Sequence, residues 1–120
     1  MLLRIVNLSE ALQQAKRLAE AKIVKGESAD EFVEIGEADG FKLYVFAGKT
    51  LESKVHCEFH ENPRDVFMLI LRGKMELIFE NGQRETVIAD HCFVLPKNVK
   101  HVCVFKELTL GVEGVYEKGL

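Results

Sequence analysis

Short segments of β character, separated by turn signals, fill the chain from residue 31 onward and constrain its fold more than any other feature. The predicted strands cover residues 32–35, 41–47, 51–59, 66–71, 75–80, 85–88, 92–95, 101–105 and 108–116. Asn81-Gly82, between two of them, is a strong hairpin signal because both residues tolerate positive φ. Many short strands without intervening helices predict an all-β sandwich or barrel rather than a parallel α/β sheet.

A helix precedes these strands. Asn7 followed by Glu10 resembles a capping box, and Gly26 suits the position just past a helix end. The apolar residues between them repeat at helical spacing but supply little apolar bulk, so we expect the helix to pack on a sheet or on a partner subunit. The chain is predicted to consist of a helical extension over residues 1–30 and one β-barrel over residues 31–120.

Length, charge and cysteine content narrow the class of protein. With 120 residues the chain is long enough for one core and too short for two. A net charge of −3 provides no basic field for nucleic acid, and no apolar run approaches the roughly 20 residues of a membrane span. Cys57, Cys92 and Cys103 form no C-x-x-C pair, and their odd number rules out complete internal pairing. We predict a cytoplasmic protein without nucleic-acid or membrane partners.

The segment 54–60 alternates between polar and apolar side chains. Lys54, His56, Glu58 and His60 fall on one face of a strand, and Val55, Cys57 and Phe59 fall on the other. Ordinary antiparallel alternation, with the polar face in water, explains this pattern without any function. A second segment, further along the chain, favours a functional interpretation.

Residues 94–101 read as a strand end, a proline, a tight turn and a histidine, His101, that opens the next strand. This arrangement resembles the second signature of the cupin superfamily, in which a glycine, a proline, a turn glycine and a histidine follow in this order. Asp90 and Asn98 stand at the two glycine positions, and both residue types tolerate left-handed backbone. The resemblance implies a cupin-like double-stranded β-helix (jelly-roll) barrel.

The segment around His60 then resembles the first cupin signature. Family members carry two histidines one residue apart, a glutamate four or five residues on and a glycine after a further strand. By this registration His60 matches the second histidine, and Asp65 stands in for the glutamate. Glu58 occupies the place of the first histidine, and His56 lies one step further back on the same face. Asp65 fits only with a bulge; otherwise Val66 is the equivalent residue.

The resemblance implies a metal-binding pocket. The expected ligands of the metal are His60, His101, Asp65, Glu58 and His56. Imidazoles and carboxylates suit a divalent first-row metal such as iron, manganese, nickel, copper or zinc. We expect Phe67, Leu69, Cys103 and Phe105 to line the pocket beside a small polar molecule. One expected function is a metal-dependent isomerase or oxygenase. The alternative is a non-catalytic, metal-free ligand-binding module, because both the first histidine and the glutamate are replaced.

The quaternary structure is predicted from the face of the barrel opposite the pocket. We expect that face to carry Val66, Met68, Ile70, Val102 and Val104. An apolar outer face of this size is normally covered. A homodimer, formed by sheet packing about a twofold axis, is therefore expected.

Overall fold

The computed structural model describes residues 4–51 and 59–116, and within these ranges the chain forms one α-helix followed by eight β-strands. The elements are α1 (Leu8–Val24), β1 (Ala29–Ala38), β2 (Phe41–Lys49), β3 (Val66–Arg72), β4 (Lys74–Phe79), β5 (Arg84–Ile88), β6 (His91–Leu95), β7 (His101–Val104) and β8 (Thr109–Tyr116). The predicted all-β class with one N-terminal helix is confirmed. The strand predicted over 51–59 falls mostly outside the described residues.

The strands form two antiparallel sheets. The larger sheet has the order β1-β2-β8-β3-β6, and the smaller has the order β5-β4-β7. Phe46, Met68 and Ile70 from the larger sheet pack with Met75 and Leu77 from the smaller sheet, and these residues form the inner core. The two sheets therefore face each other across a shared apolar interior, as in a jelly roll.

Helix α1 covers the other face of the larger sheet. It begins at the predicted cap, where the side-chain Oδ1 of Asn7 accepts a hydrogen bond from the backbone N–H of Glu10 at 3.0 Å. Its buried side chains are all alanines, and they pack against apolar residues such as Val45 and Leu110 of the sheet. Small side chains let the helix lie close to the strands. Within the described ranges, no helix combines the length and the apolar character that crossing a membrane requires.

The turn residues adopt the backbone conformations that their types favour. Asp90 and Asn98, which stand at the two glycine positions of the sequence pattern, have φ of 68° and 64°. Gly82, in the predicted hairpin between β4 and β5, has φ of 90°. Asp, Asn and Gly are the residue types that best tolerate this left-handed region.

The structure reverses the faces that we assigned to β3 and corrects the apolar outer surface. Val66, Met68 and Ile70 are buried inside the molecule, as are Val102 and Val104 of β7. Because side chains alternate along a strand, Phe67 and Leu69 lie on the opposite, outer face of β3. The homodimer remains a prediction, but the β3 residues on which we partly based it lie in the interior.

Candidate functional site

A cavity of about 450 Å³ lies between the two sheets. Apolar side chains, among them Phe46, Met68, Leu95, Val104 and Phe105, make up much of its wall. Its ionisable side chains come from four places in the chain: Asp30 on β1, His60 just before β3, His101 and Cys103 on β7, and Glu113 on β8. Small-molecule sites commonly have this volume and this mixture of apolar wall and few polar groups.

His101 is the most buried ionisable side chain of the cavity, with 2% of its surface exposed. Its Nδ1 lies 2.8 Å from the backbone oxygen of Val99. A carbonyl oxygen only accepts hydrogen bonds, so Nδ1 carries the proton and Nε2 carries the lone pair. Burial lowers the pKa of His101, and neighbouring His60 lowers it further, against the hydrogen bond to Val99, which raises it. The ring is therefore a neutral acceptor at neutral pH.

Backbone pairing holds His60 beside His101. The N–H of each residue donates to the carbonyl oxygen of the other, at 3.0 Å and 2.9 Å. Side chains of directly opposed residues in an antiparallel pair lie on the same face, and the two ring centroids are 4.4 Å apart. His60 is solvent-exposed whereas His101 is buried. The structure thus brings the two histidines of the sequence patterns together at one cavity.

Two carboxyl groups in the cavity, those of Glu113 and Asp30, were not expected from the sequence. Burial raises the pKa of Glu113 to about 7, and repulsion from Asp30 adds to the rise. Desolvation of its carboxyl also raises the pKa of Asp30, with a contribution from repulsion by Glu31, although the residue as a whole is solvent-exposed. A charged residue within the apolar strand β8 is the signal that could have revealed Glu113.

Two of the four residues expected to line the pocket do so. Cys103 and Phe105 both contribute to the wall. Burial raises the pKa of the Cys103 thiol to about 12, so the thiol is protonated at neutral pH in the empty cavity. On β3 the wall consists of Val66 and Met68, whereas Phe67 and Leu69 face outward.

Asp65 has a structural role outside the cavity. Its Oδ1 accepts a hydrogen bond from the backbone N–H of Lys97 at 2.8 Å, which ties the start of β3 to the turn after Pro96. It does not line the cavity, and Val66 contributes only an apolar side chain. Neither residue therefore supplies the expected carboxylate. The other two expected ligands, His56 and Glu58, lie outside the described residues.

The described donor groups are fewer than a divalent metal requires. Across residues 4–51 and 59–116, no group of three or more His, Cys, Asp or Glu side chains is arranged to hold a metal ion. Protein sites for first-row metals generally use at least three such ligands. His60 and His101 are two suitable imidazoles. The described residues therefore do not form a complete metal centre.

Comparison with known proteins gives a fold but no sequence family. No family model matches the sequence, and no curated protein matches it either. A solved structure of a protein from Neisseria meningitidis has a TM-score of 0.68 at 18% identity, covering 94% of this chain and 99% of that one. A cupin-2 domain containing protein from Shewanella frigidimarina has a TM-score of 0.62 at 18% identity, covering 85% of this chain and 96% of that one.

A third solved structure specifies the architecture. An RmlC-like cupin family protein from Methanocaldococcus jannaschii, described as having a double-stranded β-helix fold, has a TM-score of 0.59 at 13% identity, covering 73% of this chain and 80% of that one. At these identities the comparisons establish the fold alone. That fold is the one implied by the two sequence patterns.

Proposed function

We propose that this chain, which has the cupin fold, is a small-molecule-binding protein whose ligand contacts the cavity wall directly, without a metal. One observation carries the proposal. Ionisable side chains from four separate segments meet in one cavity of about 450 Å³ whose wall is otherwise largely apolar. Apolar walls supply binding energy, and a few convergent polar groups orient the ligand.

The polar groups differ in what they offer a ligand. Nε2 of His101 accepts a hydrogen bond, and the protonated thiol of Cys103 donates a weak one. Glu113, with a pKa of about 7, donates when protonated and accepts when ionised. These three groups suit a molecule with several hydrogen-bonding groups on a small skeleton.

The two described cysteines allow a matched test. Cys103 lines the cavity, whereas Cys92 is exposed on β6. Cys103→Phe should fill the cavity, and Cys92→Phe should leave it open. We expect a library of small polar fragments, screened by saturation-transfer NMR, to contain fragments that bind the parent and Cys92→Phe but not Cys103→Phe.

Circular dichroism checks that both variants fold. If Cys103→Phe does not fold, the smaller Cys103→Met should still weaken the same fragments, because its thioether chain enters the same space. A screen without binders, or binders that Cys103→Phe and Cys103→Met leave unchanged, would contradict the proposal.

A metal-dependent isomerase or oxygenase is the second candidate function. The observation that favours it is the protonation of His101 on Nδ1, beside the ring of His60, which leaves Nε2 free to bind a metal. This candidate requires ligands in addition to the two imidazoles.

The metal candidate predicts a response to chelator. An ion at 100 times its dissociation constant stabilises a protein by about 2.7 kcal/mol, so a chelator should lower the melting temperature. His101→Ala should lose most of that response. If chelator leaves the melting of both proteins unchanged, the metal-free pocket is the better account.

A further inference from the structure

We infer that the ligand of this cavity is an organic ammonium ion. The inference rests on the proposed function and specifies its ligand class. Three features of the cavity carry it: two carboxyl groups with no lysine or arginine among the described wall residues, several phenylalanine rings, and a buried imidazole that offers an acceptor. Each restricts the ligand in a different way.

The charged residues of the wall are of one sign. Asp30 and Glu113 contribute carboxyl groups, and no lysine or arginine is among the described residues that line the cavity. Lys22, which lies near Asp30, forms an ion pair with Glu31. An anionic ligand would be repelled by the carboxylates, whereas a cation would be attracted to them.

Burial makes this attraction more important. Desolvation raises the pKa of both Asp30 and Glu113, and repulsion adds to it, from Glu31 at Asp30 and from Asp30 at Glu113, which means that the empty cavity disfavours two negative charges. A ligand cation between the two carboxylates would offset both the desolvation and the repulsion of negative charge. A neutral ligand would leave them in place.

The aromatic wall suits the same class of ligand. Phe32, Phe46, Phe93 and Phe105 line the cavity. The ring of Phe46 is central, with centroid distances of 6.1 Å to Phe32 and 5.8 Å to Phe105. The faces of aromatic rings attract cations, and rings in contact with organic ammonium groups are a common means of recognition.

His101 is an independent indication that the cavity receives a hydrogen-bond donor. It is 2% exposed, and its Nδ1 proton is used by the backbone of Val99. Its lowered pKa keeps the ring neutral, so Nε2 accepts a hydrogen bond from an ammonium N–H or from a hydroxyl group close to the cation.

The test uses choline and its neutral isostere, 3,3-dimethylbutan-1-ol, titrated into the whole protein at pH 8 and low salt. At this pH Glu113 is ionised, and the pH is above the ordinary pKa range of histidine side chains. We expect choline to bind at least tenfold more tightly than the isostere. Glu113→Gln should reduce the affinity for choline about tenfold and leave that for the isostere unchanged. Glu20→Gln, an exposed helix position with the same charge change, should alter neither.

The outcomes separate this inference from the proposed function. Equal or tighter binding of the isostere would overturn the ammonium assignment while leaving a ligand cavity in place. The same holds if neither probe binds but the screen yields cavity-dependent fragments of other classes. A screen without any cavity-dependent fragment would overturn both. If Glu113→Gln does not fold, Asp30→Asn should give the same selective loss of choline binding, and equal binding to parent and Asp30→Asn would count against the inference.

Discussion

The two faces of the larger sheet both bury apolar residues, but they differ in the polar residues that accompany them. On the outer face, Ala29 and Val112 belong to or pack against the apolar layer beneath α1. Their immediate neighbours, Asp30 and Glu113, line the inner cavity. The outer face is completed by the chain's own helix, whereas the inner face keeps polar groups around an open volume. Both faces bury apolar side chains, but only the inner one surrounds a cavity with polar groups, so we expect ligand binding there.

Of the described glycines, Gly111 has the least room for a side chain. A Cβ added there would clash with the backbone oxygen of Leu69 and lie 2.5 Å from Cζ of Phe46. Gly111→Ala should therefore lower the free energy of unfolding by about 3 kcal/mol, measured by urea denaturation. Gly36→Ala is the control, since nothing lies within 4 Å of the added atom. Equal effects of the two substitutions would contradict the close packing of β8 against Phe46.

Glu113 gives the stability of the inner face a pH dependence. Its pKa rises from an ordinary 4.5 to about 7, so between these values the native state binds more protons than the unfolded state. The free energy of unfolding consequently falls as the pH rises through this window. Glu113→Gln stays neutral, and its free energy of unfolding relative to that of the parent should increase by about 3 kcal/mol from pH 4.5 to pH 8.

The difference in the free energy of unfolding between Glu113→Gln and the parent, taken at each pH, isolates the contribution of Glu113. The lowered pKa of His101 acts in the opposite sense, because it makes stability fall as the medium is acidified, and it is present in both proteins. Glu20→Gln, on the exposed side of α1, should give a difference that is independent of pH. If the difference between Glu113→Gln and the parent were also independent of pH, the carboxyl of Glu113 would not be buried.

The smallest change in the free energy of unfolding is expected for the helix that covers the outer face. Asn7→Ala removes the acceptor for the Glu10 N–H and should lower the free energy of unfolding by about 1 kcal/mol. Asn7→Ser should retain most of the stability, because serine is also a good N-cap. Neither variant should change the affinity of the cavity for its fragments. A loss of affinity in Asn7→Ala would mean that the two faces are coupled.

Local patterns in the sequence predict the elements that depend on neighbours along the chain. The N-cap at Asn7 and the left-handed turns at Asp90 and Asn98 are of this kind, and the structure confirms them. The faces of β3 are different, because Val66, Phe67, Met68 and the residues that follow are apolar on both sides of the strand. Alternation is then uninformative, and packing between sheets decides which residues are inside.

In the candidate site, too, some residues could be predicted from local patterns and others could not. His60 and His101 belong to recognisable patterns in the middle of the chain. Asp30 and Glu113 lie near opposite ends of it, and they reach one cavity only because β1, β2 and β8 are neighbours in the larger sheet. Spacing along the chain does not contain that information. Asp65 matches a pattern by position, but its carboxylate is used by the backbone of Lys97.

The central claim is that a ligand occupies the inner cavity, and the methyl groups of two methionines test it most directly. Met68 lines the cavity, whereas Met75 is buried in the same inner core but is not part of the wall. In protein labelled with 13C at the methionine methyl groups, we expect the tightest-binding fragment of the screen to shift Met68 in a saturable titration and to shift Met75 much less. Saturable binding that leaves Met68 unmoved, or that moves both methyl groups equally, would contradict the account.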